Sequence, residues 1–176
     1  MNTPNLIVRA GDVGYGHIKF TDGRDAATNA IRTYSIPSQS PLFKGQLIGT
    51  STSIMTNRDT FAVPVGDRVF EVGRDIHLAL SSNQVTEVLD EGFCLSDVYA
   101  ARLYGALNYM LPSLPGKVID VLILGLPLTT FRKHREALAG RFTGEFVIND
   151  KGTKVVIRQC HVYPQPFGSY MSYLQS

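Results

Sequence analysis

The chain has 176 residues, 44% of them hydrophobic and 18% charged, with a formal net charge of +2. That length carries one core of ordinary size, and so small a net charge makes no case for nucleic acid or a membrane surface as partner. Two cysteines, Cys94 and Cys160, and four histidines stand without the spacing of a metal site or a disulfide framework.

Residues 6–10 form a short apolar run, which predicts a buried strand ending at Gly11-Asp12. Gly14 and Gly16 mark a turn, residues 17–21 a second strand, and Asp22-Gly23 a further turn. A third strand at 31–37 completes an antiparallel meander. Residues 38–57, rich in Ser, Thr and Gly, read as loop. Phe61, Val63 and Val65 alternate with smaller or polar partners, and Gly66-Asp67 then turns the chain into 68–72, a hairpin signal. A loop with short helical pieces is expected over 73–93. Ser96 is placed to cap a helix, with Asp97 at the positive end of its dipole. Tyr99, Leu103, Ala106, Leu107 and Met110 share one face of that helix, and Pro112 and Pro115 end it.

Residues 117–124 are a β-branched apolar run, read as a buried central strand. Thr129 or Thr130 is expected to cap a second helix with Phe131, Arg135, Leu138 and Phe142 on one side. A second hairpin pairs 145–149 with 154–163. Pro164-Gln165-Pro166 breaks it, and 167–174 begin a third helix. Strands first, then helix–strand–helix–strands, predict a mixed α/β domain with a partly parallel sheet. Residues 1–9 have no signal-peptide pattern, and the longest apolar stretch, 118–126, is too short to cross a bilayer. The expected setting is the cytoplasm, with reduced thiols.

Three segments carry chemistry. In Gly11-Asp12-Val13-Gly14-Tyr15-Gly16-His17-Ile18-Lys19, the glycines permit positive φ and close approach of backbone N–H groups to an anion. Asp12 can hold magnesium, usually through its water shell. Lys19 can reach back over the turn as a point charge. The segment lacks the Gly-Lys-Ser/Thr of a Walker A loop, and a strand follows it where a dinucleotide fingerprint needs a helix. An ordinary glycine hairpin is the other reading. His17 reads as a strand residue beside the anion and Tyr15 as packing over the loop. The second segment, Leu124-Gly125-Leu126-Pro127-Leu128-Thr129, is either a ligand-facing strand end or a plain strand-to-helix connection. The third is Tyr163-Pro164-Gln165-Pro166-Phe167-Gly168. There the amide of Gln165, held between two prolines, either orients a water for attack on a γ-phosphate or faces solvent.

In this order and spacing the three segments resemble the actin-like ATPases of bacterial plasmids, the ParM/StbA type. Phe70-Glu71-Val72-Gly73-Arg74-Asp75 is also similar to a hairpin of that family. The resemblance implies an α/β chain of the actin-like ATPase (ribonuclease H-like) fold, in which a mixed sheet is accompanied by a small inserted subdomain. The core subdomain would be residues 1–37 and 94–176, and the inserted one 38–93. It implies ATP or GTP with Mg2+ as cofactors. Asp12 would be the magnesium-linked aspartate, and Gly14, Tyr15, Gly16, His17 and Lys19 would bind phosphate. Gln165 would be the catalytic, water-positioning residue. Partners implied are further copies of the protein in a filament and a DNA-binding adaptor, with no direct DNA binding and no membrane.

The family continues with a second phosphate loop and an adenosine-binding segment, and neither pattern occurs here. The expectation is an N-terminal half without the C-terminal ATPase domain. Such a half would have little ATPase activity of its own, because positioned charges must act from both sides of a cleft. Two other functions fit the same residues: a non-catalytic interaction module, or a fragment of a sugar or small-acid kinase of the same fold clan.

Overall fold

The computed structural model describes residues 6–43, 58–79 and 91–165. In chain order the strands are β1 (Val8–Val13), β2 (His17–Arg24), β3 (Ile31–Pro37), β4 (Thr60–Val65) and β5 (Arg68–Gly73). Then follow α1 (Asp97–Met110), β6 (Val118–Leu126), α2 (Leu128–Arg141), β7 (Gly144–Val147) and β8 (Lys154–Pro164). Six strands form one sheet in the order β3-β2-β1-β6-β8-β7, and β4 and β5 form a separate hairpin. β1, β6 and β8 run parallel, while β2, β3 and β7 are antiparallel to their neighbours. The β-branched run is thus the central strand, next to β1 on one side and β8 on the other.

Alternation along the strands divides the sheet into two faces. On β1 and β2 the side facing the helices carries Val13, Ile18 and Phe20, all buried. A Cβ on Gly11 would touch Leu103 of α1, which puts the helix on that side. Ser96 caps α1 as its position predicts, its hydroxyl accepting from Tyr99 N at 3.1 Å. α1 is buried on nearly every side rather than along one stripe, with Arg102 and Asn108 enclosed as well. The sheet lies on one side of it and the β4–β5 hairpin on another. At Gly105 a Cβ would lie 2.4 Å from Val72 Cγ1, so only glycine lets the hairpin sit this close to α1. α2 joins the same side through Phe142, whose ring lies 5.9 Å from Tyr99 and 6.1 Å from Tyr104.

Several boundaries differ from the sequence expectations. β1 runs through Gly11-Asp12, because pairing with both β2 and β6 outweighs the glycine's turn tendency. β2 continues past Asp22-Gly23 across a bulge. The turn falls at 25–29, where the Asp25 carboxylate accepts from the Ala27 and Thr28 amides. Neither Thr129 nor Thr130 caps α2. Pro127 occupies the cap position and the helix is already under way, so the Thr130 hydroxyl donates back to the Pro127 carbonyl at 3.0 Å. The short helical pieces expected in 73–93 include the 3-10 turns Ile76–Ala79 and Phe93–Leu95. The expected third helix at 167–174 and most of the 38–57 loop lie outside the described residues. No helix among the described residues is long and apolar enough to cross a membrane.

Candidate functional site

Because β1, β6 and β8 are parallel, their carboxyl ends share one edge of the sheet, the place where open α/β sheets bind ligands. Asp12 lies near the end of β1, Gly125 near the end of β6 and Gln165 just past β8. Gln165 is half-buried, and its Nε2 donates to Asp12 Oδ1 at 2.7 Å. Residues 153 positions apart are thereby joined. Gly125 lies against both: a Cβ there would come within 3.3 Å of Gln165 Cγ, a tight approach, and 3.8 Å of Asp12 Oδ1, an ordinary contact. The first and third sequence segments meet directly, and the second lies between them.

The loop after β1 is tied on itself. Gly14 N donates to the His17 carbonyl at 3.1 Å. The Ser38 hydroxyl donates to the Gly14 carbonyl at 2.5 Å, and Ser38 N donates to the Gly16 carbonyl at 2.9 Å. Gly14 and Gly16 are not among the glycines with positive φ, contrary to the sequence expectation. Proximity is what matters at Gly14, where a Cβ would stand 3.0 Å from the His17 carbonyl oxygen. Lys19 is the register partner of Asp12, so the two project from the same face. His17 opens β2 opposite Pro37 and is exposed. Tyr15 is 65% exposed, its ring 6.3 Å from that of Phe93.

Asp12 and Lys19 belong to the face opposite the helices. There a cavity of about 940 Å³ is lined by Asp12, Lys19, Thr21, Thr33, Ile123 and Gln165, among others. Chemically, the edge offers a carboxylate and a carboxamide, hard oxygen ligands of the kind magnesium takes. It also offers an ammonium group and the start of α2, which carries no side-chain cap and so presents free N–H groups to an anion. No cluster of three or more metal-ligating side chains occurs among the described residues. A magnesium ion held by Asp12 would therefore keep much of its water shell.

Cys94 and Cys160 are both buried. Burial pushes the Cys160 thiol up to about 12 and raises Cys94 as well. The basic residues at the start of α2 are engaged at the surface: Lys133 pairs with Glu91, and the Arg135 guanidinium lies 5.5 Å from the centre of the Phe131 ring. Sequence reasoning did not single out Gly125 or Tyr99 as site residues. Gly125 has a legible signal, the one glycine in a strand whose other residues are large and, Asp120 apart, apolar. Tyr99 has none, since its approach to the strand ends depends on how α1 packs.

Residues 10–168 match the model of a family described as the N-terminal domain of actin-like proteins. Among solved structures, filamentous AlfA from a Bacillus subtilis plasmid is 17% identical with a TM-score of 0.64, over 91% of this chain and 56% of that one. A 15-stranded ParM filament from Clostridium botulinum is 20% identical with a TM-score of 0.62, over 97% and 51%. Bacillus thuringiensis ParM with ATP is 15% identical with a TM-score of 0.52, over 90% and 45%. At these identities the likeness is one of fold, which here is α/β and actin-like. The chain spans about half the length of these solved chains. No curated protein matches the chain.

Proposed function

The chain belongs to the family of actin-like protein N-terminal domains, and on that premise we propose that it forms one side of the nucleotide cleft of a filament-forming ATPase. The observation that carries this reading is the hydrogen bond from Gln165 to Asp12 across the ends of two parallel strands. In this reading the carboxamide orients water and the carboxylate serves magnesium, side by side at the edge where such sheets bind phosphates. The solved structure of a fold relative with ATP is consistent with it.

In this reading Mg2+ and ATP or GTP supply the charge balance and the transferable phosphoryl group. Asp12 holds the ion through its waters. Lys19, on the same face, neutralises phosphate oxygens. The segment of Gly14, Tyr15, Gly16 and His17 borders the phosphates, with Gly14 N–H already spent within the turn. Gln165 uses one N–H on Asp12 and keeps its carbonyl oxygen to accept from the attacking water. Electrostatic catalysis of this kind works by charges fixed on both sides of the reacting group. The described residues furnish one such side.

The intact protein, in the same reading, segregates a plasmid or mobile element in the cytoplasm, with a DNA-binding adaptor carrying the cargo. Its support is that two of the fold relatives are filaments.

The test is Mg-ATP titration calorimetry on the chain and on Asp12→Ala. Weak, magnesium-dependent binding that disappears in the variant is expected. Binding of equal strength in both proteins, or none by the wild-type chain up to about 1 mM, an affinity of roughly 4 kcal/mol, would overturn the assignment of Asp12.

A further inference from the structure

Behind the Asp12–Gln165 pair lies a second cavity, of about 230 Å³, bounded by Gly14, Tyr15, Pro127, Thr130, Gln165 and Tyr99. Tyr99 is only 1% exposed, yet its hydroxyl has no hydrogen-bond partner among the described residues. The ring packs against those of Phe93, with centroids 5.6 Å apart, and Phe142, at 5.9 Å. Its backbone is fixed as well, because Tyr99 N donates to the cap hydroxyl of Ser96. The hydroxyl is within electrostatic reach of Asp12, Cys94 and Cys160, and burial above all, then these groups, drives its pKa upward. It is therefore a neutral donor throughout the physiological range.

A buried O–H left without a partner costs its full desolvation, and native proteins commonly satisfy such groups with ordered water. A bound water needs a void of about 15 Å³ on this measure and two or more polar partners. The cavity exceeds that volume several times over, and it offers a second partner. Gln165 commits Nε2 to Asp12, and its Oε1 has two lone pairs, one for the attacking water and one for a water in this cavity. The Tyr99 hydroxyl can donate to a water, and the water can donate in turn to that oxygen.

We propose that Tyr99 is a positioning residue for Gln165: its hydroxyl binds a buried water in the second cavity, and this water holds the Gln165 carboxamide in place against Asp12. The water site stands on the cavity and the buried hydroxyl. Its consequence for hydrolysis rests on the nucleotide reading above.

The test needs no nucleotide, so its failure and the failure of ATP binding are separate results. The first measurement is a crystal structure of the wild-type chain at a resolution that places waters. Density within hydrogen-bond reach of both Tyr99 Oη and Gln165 Oε1 is expected, and a dry hydroxyl would overturn the proposal whether or not any variant folds. The second is NMR of the Gln165 side-chain amide, assigned by its loss in Gln165→Ala. Tyr99→Phe should shift these signals and quicken their exchange with solvent severalfold. Tyr104→Phe, on the same helix and against the same Phe142 ring, should leave them in place. Signals unmoved by Tyr99→Phe, or moved equally by Tyr104→Phe, would reduce Tyr99 to a core residue and overturn the assignment.

Discussion

One face of the six-stranded sheet packs Ile18, Phe20, Leu122, Leu124 and Ile157 against two helices; the other turns Asp12, Lys19, Thr21, Thr33 and Ser35 toward the large cavity. The strands are the same and the alternation is a single residue, so the contrast is one of side-chain chemistry. The helix side is apolar and closely packed and holds most of the buried core. The cavity side gives up burial and keeps polar groups where a ligand can reach them. Stability and chemistry are therefore expected to respond to different substitutions, although the residues concerned are neighbours in the chain.

The largest break in that contrast comes from the packed side. Leu103, fully buried in α1, touches the sheet through Gly11, and Leu103→Ala is expected to cost about 3 kcal/mol in denaturant unfolding. A loss under about 1 kcal/mol would mean that α1 collapses onto the sheet without strain and is not its main support.

Next is Asp97, at the start of α1, which accepts from Arg68 of β5 at 2.6 Å and from Arg141 of α2 at 3.0 Å. The group is partly exposed and screened by solvent, so Asp97→Asn should cost about 1 kcal/mol. The hydrogen bond from Arg68 is the chief cause that holds its carboxyl below the usual range. Its contribution is thus present above roughly pH 4, the unfolded carboxylate value, and is lost as pH falls through the depressed folded value. Unfolding curves of wild type and variant should converge in acid; a gap that persists there would show that the charge is not the cause.

Smaller again is the effect of the buried thiols. Their pKa values are raised by burial, Cys160 to about 12, whereas unfolded thiols ionise near pH 8.5. The stability they confer is complete below that value and declines as pH rises toward the folded one. At pH 9 the loss is below about 1 kcal/mol per thiol. A Cys94→Ala, Cys160→Ala double variant should show a flatter decline between pH 8 and 10, roughly the onset range of thiol ionisation, and an equal slope would reject the assignment.

The least effect belongs to the cavity side. Thr33 is exposed on β3, and Thr33→Ala should change stability by no more than about 0.5 kcal/mol. A larger loss would show that this face is packed in solution and that the contrast between the faces is wrong.

The sequence carried the elements and hid their meeting points. Local signals were enough for the β4–β5 hairpin at Gly66-Asp67, for the Ser96 cap, for the central strand and for β3. Each of these depends on a few adjacent residues and the period of apolar side chains. Strand ends were less legible. Asp22-Gly23 looks like the end of β2, but the strand runs on past it through a bulge in which Gly23 takes a positive φ. The start of α2 was misplaced for a related reason, since Pro127 rather than a threonine takes the cap position.

By itself, then, the sequence determined the order and kind of elements and marked Asp12 and Gln165 as residues of interest, because periodicity, capping and turn chemistry are local. Only the tertiary structure decided that these two touch, that Gly125 lies against both and that Tyr99 lines the cavity next to Gln165. Those facts depend on parallel strands aligned at one edge and on a helix packed across them. Contacts between residues 153 positions apart leave no periodic trace in the chain that makes them.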